Sequence, residues 1–181
     1  MRVISGRYKG KILKCSEGLT TRPTIDRVKE SLFNIIQFKI DQNAVLDLFA
    51  GSGQLGLECL SRGALYADFC EVDKKAFEIL KSNLKDIENC KIFNTDYKNF
   101  IKGLKLTEKY DIIFIDPPFS ENLYTSAINL IKPFLDNKGI IVCESSSDYS
   151  FESFDNLELF DQRKYGRTML SFFKKEQNLL E

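Results

Sequence analysis

From residue 44 onward, short apolar runs alternate with segments that carry apolar residues at helical spacing. The predicted strands are 45–50, 67–72, 91–95, 110–116 and 139–144, and the predicted helices are 54–62, 74–88 and 123–131. This alternation predicts an α/β fold, with a parallel sheet covered by helices on both faces. Segments 157–164 and 167–173 then predict an antiparallel hairpin that closes the sheet.

A glycine-rich loop connects the first predicted strand to its helix. Gly51, Gly53 and Gly56 form the pattern G-x-G-x-x-G in the context that this pattern requires. Such glycines let a ligand approach backbone N–H groups at a helix N-terminus, although a purely structural glycine turn is the alternative. Acidic residues end the next two strands, where they can bind ribose and adenine. The predicted cofactor-binding residues are Asp47, Gly51, Ser52, Gly53, Glu71, Asp96 and Tyr97.

The chemistry around this loop favours one adenosine ligand over another. A dinucleotide such as NAD carries a pyrophosphate, and no Arg or Lys near the loop would balance its charge. The predicted antiparallel hairpin is also foreign to the ordinary dinucleotide-binding sheet. A compact zwitterionic ligand with its positive end near Asp47 fits better, which points to S-adenosylmethionine (SAM).

The fourth predicted strand ends in Asp116-Pro117-Pro118-Phe119. The prolines fix the backbone and leave carbonyl acceptors without N–H donors. Asp116 and the Pro117 carbonyl can therefore accept the two hydrogens of an exocyclic amine, and Phe119 can stack on the base. We predict that Asp116, Pro117 and Phe119 are the catalytic residues of an amino methyltransferase. A strand end followed by a proline-rich turn is the alternative.

The charge is unevenly distributed along the chain. Residues 1–39 carry nine Lys/Arg against three Asp/Glu, whereas residues 40–150 carry twelve against seventeen. We therefore divide the chain into 1–39, a basic hairpin and helix that contacts a nucleic acid, and 40–181, the SAM-binding domain. A solvated surface hairpin is the alternative. The predicted nucleic-acid-binding residues are Arg2, Arg7, Lys9, Lys11, Arg22 and Arg27.

The cysteine and histidine content limits which kinds of catalytic or metal site the chain can form. The five cysteines show no Cys-x-x-Cys spacing and the chain has no histidine, so we expect no metal and no histidine base. Reduced thiols, the absence of a signal peptide and the absence of a long apolar run predict a cytoplasmic protein without a membrane segment. We expect a monomer.

The chain resembles the bacterial 16S rRNA guanine-N2 methyltransferases of the RsmD type over nearly its whole length. The motifs that carry this resemblance are Arg2-Val3-Ile4-Ser5-Gly6, Arg22-Pro23-Thr24, Asp47-Leu48-Phe49-Ala50-Gly51-Ser52-Gly53, Asp116-Pro117-Pro118-Phe119 and Lys164-Tyr165-Gly166. The Arg-Pro-Thr motif combined with the Phe-Ala-Gly-Ser-Gly segment is specific, whereas the Asp-Pro-Pro-Phe motif also occurs in adenine-N6 enzymes.

The resemblance implies a class I methyltransferase fold with a seven-stranded sheet. It also implies methylation of one guanine of the small-subunit rRNA, position 966 in the usual numbering, in an assembled or assembling ribosomal subunit. Two alternatives stay open from the residues alone. One is an adenine-N6 or other nucleic-acid amino methyltransferase, and the other is a SAM- and RNA-binding assembly factor without turnover.

Overall fold

The computed structural model describes residues 1–15, 23–118 and 123–176, with residues 23–26 as backbone only. Seven strands form one sheet: β1 (Ala44–Asp47), β2 (Tyr66–Cys70), β3 (Cys90–Phe93), β4 (Tyr110–Ile115), β5 (Leu135–Ser146), β6 (Leu157–Tyr165) and β7 (Thr168–Lys175). Their order across the sheet is β3-β2-β1-β4-β5-β7-β6. Strands β1 to β5 pair in parallel, while β7 runs antiparallel to both β5 and β6. The predicted sheet with its antiparallel C-terminal hairpin is confirmed.

The helices divide between the two faces of the sheet. They are α1 (Pro23–Ile36), α2 (Gln54–Ser61), α3 (Lys74–Leu84), α4 (Tyr97–Gly103) and α5 (Tyr124–Ile131), with short 3-10 turns at Gln37–Lys39 and Lys132–Phe134. Side chains of α1, α2 and α3 form a core on one face, and those of α4 and α5 form a second core on the other. Because β1 to β5 run in the same direction, their carboxyl ends lie at one edge of the sheet, where ligands bind in such folds.

The sequence predicts a helix that is capped by Thr24 and runs to about Lys39, with Ile25, Val28, Leu32, Ile35 and Ile36 on its apolar face and Asp26, Arg27, Lys29 and Glu30 on its polar face. Helix α1 differs from this pattern in three ways. Its buried side chains are Val28, Leu32, Phe33 and Ile36, whereas Ile35, which was assigned to the apolar face, is 37% exposed. Lys29 was assigned to the polar face, but it is buried because its ammonium group donates to the Arg2 carbonyl oxygen at 2.6 Å. The helix also begins at Pro23, so the predicted N-cap Thr24 lies inside the first turn.

The N-terminal segment forms a closed hairpin with one antiparallel bridge, between Arg2 and Ile12, rather than two regular strands. The Val3 amide donates to the Lys11 carbonyl oxygen and the Gly10 amide to the Val3 carbonyl oxygen, both at 3.0 Å. Val3 and Leu13 are buried in the core that α1 and α2 form. The hairpin thus packs on the sheet domain, and the division at residue 39 stays a prediction.

Candidate active site

A cavity of about 650 Å³ lies at the carboxyl edge of the sheet. This size suits a small-molecule ligand. It is lined by eight of the residues that were predicted from the sequence, namely Asp47, Gly51, Ser52, Glu71, Asp96, Tyr97, Asp116 and Pro117. Gly53 does not line the cavity, and Phe119 lies outside the described residues. The predicted cofactor and catalytic groups therefore face one common space.

The Glu71 carboxylate fixes the conformation of the glycine loop. It accepts from the Gly51 amide and from the Asp73 amide, each at 2.8 Å. Gly51 has a φ of 53°, and a Cβ atom at this position would meet no atom within 4 Å. The backbone of Gly51 therefore faces open space in which a ligand can approach it. Each Glu71 oxygen keeps a second lone pair with which it can accept from a ribose hydroxyl.

The other two glycines of the motif serve packing. A Cβ atom on Gly53 would lie 2.5 Å from Leu80, and one on Gly56 would lie 2.4 Å from the Phe69 ring. Both glycines therefore allow α2 to approach β2 and α3 closely. Leu80 of α3 occupies the space where a Gly53 Cβ atom would lie, and the contact between Gly53 and the cofactor stays a prediction.

The loop is also connected to the N-terminal hairpin through a buried asparagine. The Asn83 amide group donates to the Ser52 carbonyl oxygen at 2.9 Å and to the Lys14 carbonyl oxygen at 3.0 Å. Its oxygen accepts from the Lys14 amide at 2.9 Å. One side chain of α3 thus holds the cofactor loop and the end of the basic hairpin together.

Asp47 is the most deeply buried carboxylate at the cavity, with 2% of its surface exposed. It accepts from the Gly56 amide at 3.1 Å. Burial raises its pKa to about 7, the Gly56 hydrogen bond opposes this rise, and the nearby Glu71 carboxylate adds to it. The charged form of Asp47 is therefore costly until a cation arrives in the cavity.

Asp96 and Tyr97 begin α4, which was not predicted. The Asp96 carboxylate caps this helix by accepting from the Lys98 amide at 2.8 Å. Tyr97 is buried, its hydroxyl donates to the Ser126 hydroxyl at 3.0 Å, and its ring packs on Phe49 at 5.2 Å between centroids. Phe49 also lines the cavity and was missed, although its place in the Phe-Ala-Gly-Ser-Gly segment was a usable signal.

Asp116 and Glu144 lie at the ends of neighbouring strands. Ile115 and Cys143 are partners in the parallel pairing of β4 with β5, and the next residue of each strand lines the cavity. Loss of hydration raises the pKa of Asp116 well above its ordinary value, and the Glu144 and Asp47 carboxylates raise it further. Burial also raises the pKa of Glu144. Glu144 was not among the predicted site residues.

The predicted RNA-binding residues lie on the surface where the structure describes them. Arg2, Arg7, Lys9 and Arg27 are exposed and Lys11 is half-buried, while Arg22 lies outside the described residues. Arg7 forms an exposed ion pair with Glu88 at 3.3 Å. Such a pair adds little stability, so Arg7 can exchange Glu88 for a phosphate at small cost.

Two kinds of feature are absent from the described parts of the chain. Among residues 1–15, 23–118 and 123–176, no group of three or more His, Cys, Asp or Glu is arranged to hold a metal ion. Over the same ranges, no helix has the length and apolar content that are needed to cross a membrane.

Comparison with known proteins establishes the family. A model of the family described as Conserved hypothetical protein 95 matches residues 1–174. The chain belongs to this family. It is 38% identical over 174 residues to ribosomal RNA small subunit methyltransferase D of Haemophilus influenzae, which covers 92% of this chain and 89% of that protein. The recognition of an RsmD-type methyltransferase in the sequence is thereby confirmed.

Solved structures agree with this assignment. The structure of yhhF from Escherichia coli has a TM-score of 0.83 and 32% identity, and the match covers 97% of this chain and 98% of that chain. The 16S rRNA N2 G1207 methyltransferase RsmC of T. thermophilus, solved with AdoMet and guanosine, has a TM-score of 0.72 at 20% identity. That match covers 89% of this chain and 45% of RsmC, and it shows that the RsmD-type chain has the methyltransferase fold.

Proposed function

We propose that this RsmD-type chain methylates the exocyclic N2 amine of one guanine, of the 966 type, in the 16S rRNA of a small ribosomal subunit or its assembly intermediate. Its relatives support methyltransferase activity on rRNA, and its structural neighbours support SAM as the cofactor. The observation that carries the finer proposal is the position of Asp116 and Pro117, which line the same cavity as the Gly51 loop and Glu71.

The described residues fit SAM for an electrostatic reason. Asp47 lines the cavity, and its pKa is raised because a buried carboxylate loses hydration there. A bound cation would offset that cost. SAM supplies an activated methyl group on a positively charged sulfonium. Glu71 would hold the ribose, Asp96 and Tyr97 the adenine, and Gly51 would let the methionine part approach the backbone.

The strand end at Asp116 would orient the base. The Asp116 carboxylate and the Pro117 carbonyl oxygen accept the two N2 hydrogens of a guanine that has turned out of its stack. These two hydrogen bonds orient the amine nitrogen toward the methyl group. The orientation is needed because the nitrogen lone pair is otherwise delocalised into the ring. Phe119 would stack on the base. Asp116 is assigned no role as a strong base, since the product amine can lose its proton after transfer.

The exposed cations Arg2, Arg7, Lys9 and Arg27, with Lys11 and Arg22, would contact the rRNA backbone. Phosphate contacts of this kind position a protein on RNA without reading its sequence. The buried Asn83 bridge between Lys14 and Ser52 would then keep the RNA contact and the cofactor loop in a fixed relation.

The variant Asp116→Ala tests the proposal. We expect methyl transfer to fall by at least about 100-fold, as when a preorganised polar group is removed from an active site, while SAM affinity changes by less than about twofold. Asp155→Ala is the matched control, because Asp155 is an exposed aspartate that does not line the cavity. Loss of SAM binding in Asp116→Ala, with turnover of bound SAM unchanged, would contradict the assigned role.

A further inference from the structure

Glu144 is held in place on three sides. It lies in β5 between β4 and β7, and its antiparallel partner in β7 is Leu170. The buried Tyr124 hydroxyl donates to the Glu144 carbonyl oxygen at 2.7 Å. The Tyr124 ring in turn packs on Tyr149 at 4.7 Å between centroids. The backbone at Glu144 is therefore fixed, and its side chain is presented to the cavity from a rigid strand.

Among the described residues, the neighbourhood of this carboxylate contains acceptors, and the lysine that lines the same cavity, Lys29, pairs with Glu58 at 3.9 Å. Asp116 follows the neighbouring position of β4, and both side chains line the cavity. Within the described residues, no Lys or Arg forms an ion pair with Asp116 or with Glu144. Paired carboxylates at a cavity wall are costly unless donors from a ligand satisfy them.

Guanine offers such donors in adjacent positions. Its Watson–Crick edge presents N1–H beside the N2 amine, so two neighbouring carboxylates can each accept from one of these groups. Adenine presents an amine beside an unprotonated N1, whose lone pair would face a carboxylate without a hydrogen bond. When N1 of adenine faces the carboxylate, neither acceptor receives a hydrogen bond. Binding sites reject a base strongly when it leaves a buried acceptor unpaired in this way.

We propose that Glu144 accepts the N1–H of the target guanine while Asp116 holds its N2 amine, and that Glu144 thereby selects guanine over purines without N1–H. This inference rests on the proposed function and adds a specificity residue to it. Glu144 is a positioning residue for the reacting amine, because it contacts the base and not the transferred group.

The test compares two substrates and two enzymes. Small ribosomal particles are reconstituted with 16S rRNA that carries either guanine or 2-aminopurine at the target position, since 2-aminopurine keeps the 2-amine and lacks N1–H. The ratio of kcat/KM for the two particles is measured for the wild-type protein and for Glu144→Gln. The loss of O6 in 2-aminopurine affects both enzymes, so the change in the ratio reports on residue 144.

We expect the wild-type protein to prefer guanine by at least about tenfold and Glu144→Gln to lose at least about tenfold of that preference. The glutamine can donate its amide hydrogen to N1 of 2-aminopurine, so activity on this analogue should be kept or raised. SAM affinity should change by less than about twofold. Glu152→Gln, at an exposed site outside the cavity, is the matched control and should leave the ratio unchanged.

Other outcomes overturn the proposal. An equal loss on both substrates, or a loss of SAM binding, would assign Glu144 a general electrostatic role. Equal activity of the wild-type protein on guanine and 2-aminopurine would overturn it without any variant, which covers the case of a Glu144→Gln protein that fails to fold. Absence of methylation on guanine particles would overturn the proposed function itself, and the inference would fall together with it. The other outcomes overturn the inference and leave the proposed function standing.

Discussion

Asp47 has the environment of a carboxyl group that changes its charge near neutral pH. It is 2% exposed, it receives one backbone hydrogen bond, and burial raises its pKa from 3.8 to about 7. The folded protein without ligand therefore binds this proton more tightly than the unfolded chain does. The associated stability is complete below about pH 4 and is lost as the pH rises to about 7.

The variant Asp47→Asn tests this account of stability. Asparagine keeps an oxygen that accepts from the Gly56 amide and carries no charge at any pH. Relative to the wild-type protein, the variant should gain unfolding free energy between pH 5 and pH 8, by up to about 3 kcal/mol. Urea denaturation of both proteins without SAM at the two pH values measures this difference, and a difference that does not vary with pH would contradict the raised pKa.

Most carboxylates of the site could be predicted from the sequence because each follows an apolar run. Asp47, Glu71 and Asp116 are of this kind, and all three line the cavity. Glu144 also follows an apolar run, at the end of the predicted strand 139–144, so the same signal was present and was not used. Only the pairing of β5 with β4 shows that it lies beside Asp116. The spacing of the glycines likewise does not predict that Gly51 faces open space whereas Gly53 faces α3.

A buried ionic network fixes the N-terminal hairpin to α2. Glu58 is fully buried and accepts from the Ile4 amide at 2.7 Å and the Ser5 amide at 3.0 Å. Its carboxylate also pairs with Arg62 at 2.9 Å and Lys29 at 3.9 Å. Because Glu58 contacts the hairpin backbone and two cations at once, it fixes the position of the hairpin on α2.

Gly6 allows the closest approach of the hairpin to α2. It has a φ of 82°, and a Cβ atom there would lie 1.7 Å from the Ser61 carbonyl oxygen. Gly10 has a similar φ of 86°, but a Cβ atom there would meet nothing within 4 Å. The two glycines therefore form a matched pair in which only one is required for docking.

We expect Gly6→Ala to displace the hairpin and to weaken rRNA binding by about tenfold or more, with SAM affinity unchanged. Gly10→Ala should have a much smaller effect, because it costs only the roughly 1 kcal/mol of a left-handed alanine. Filter binding of 16S rRNA and hydrogen exchange at the Ile4 and Ser5 amides measure the two effects. Equal behaviour of the two variants would contradict the docking role of Gly6.

The helices and strands that were not predicted correctly are those whose apolar residues show little periodicity. Helix α4 has seven residues and follows Asp96 directly, so the acidic strand end that was predicted to bind adenine also serves as its N-cap. The N-terminal hairpin was predicted as two strands, but its backbone makes one bridge because the hairpin is fixed by Glu58 and Ser61. Strand β4, which has a continuous apolar run, was predicted well, and the apolar run of β5 located that strand but not its first four residues.

The distribution of charge over the molecule agrees with the proposed division between RNA binding and chemistry. The basic residues of the hairpin lie on the surface, while several carboxylates line the cavity. We therefore expect a polyanion to be attracted to one part of the protein and repelled by the cavity itself, where we propose that a cationic cofactor and a single neutral base bind. This division agrees with a substrate that presents one extruded nucleotide.

The double variant Arg7→Gln/Lys9→Gln tests the electrostatic part of this account. Loss of two phosphate contacts should weaken rRNA binding and reduce the slope of log affinity against log salt by about 1.5. Lys102→Gln/Lys105→Gln removes the same charge from exposed positions outside the hairpin and the cavity, and it should leave the slope unchanged. Equal slopes for the wild-type protein and the hairpin variant would show that these residues do not contact phosphate.

The most direct test of the central claim is the transfer of labelled methyl groups from SAM to three substrates in parallel. These are unmodified small ribosomal particles, protein-free 16S rRNA and duplex DNA, and the labelled nucleotide is then mapped. Our account predicts label on N2 of a single guanine in the particles. Label on adenine or on DNA would contradict the proposed substrate, and binding of SAM without label on any substrate would contradict the proposed catalysis.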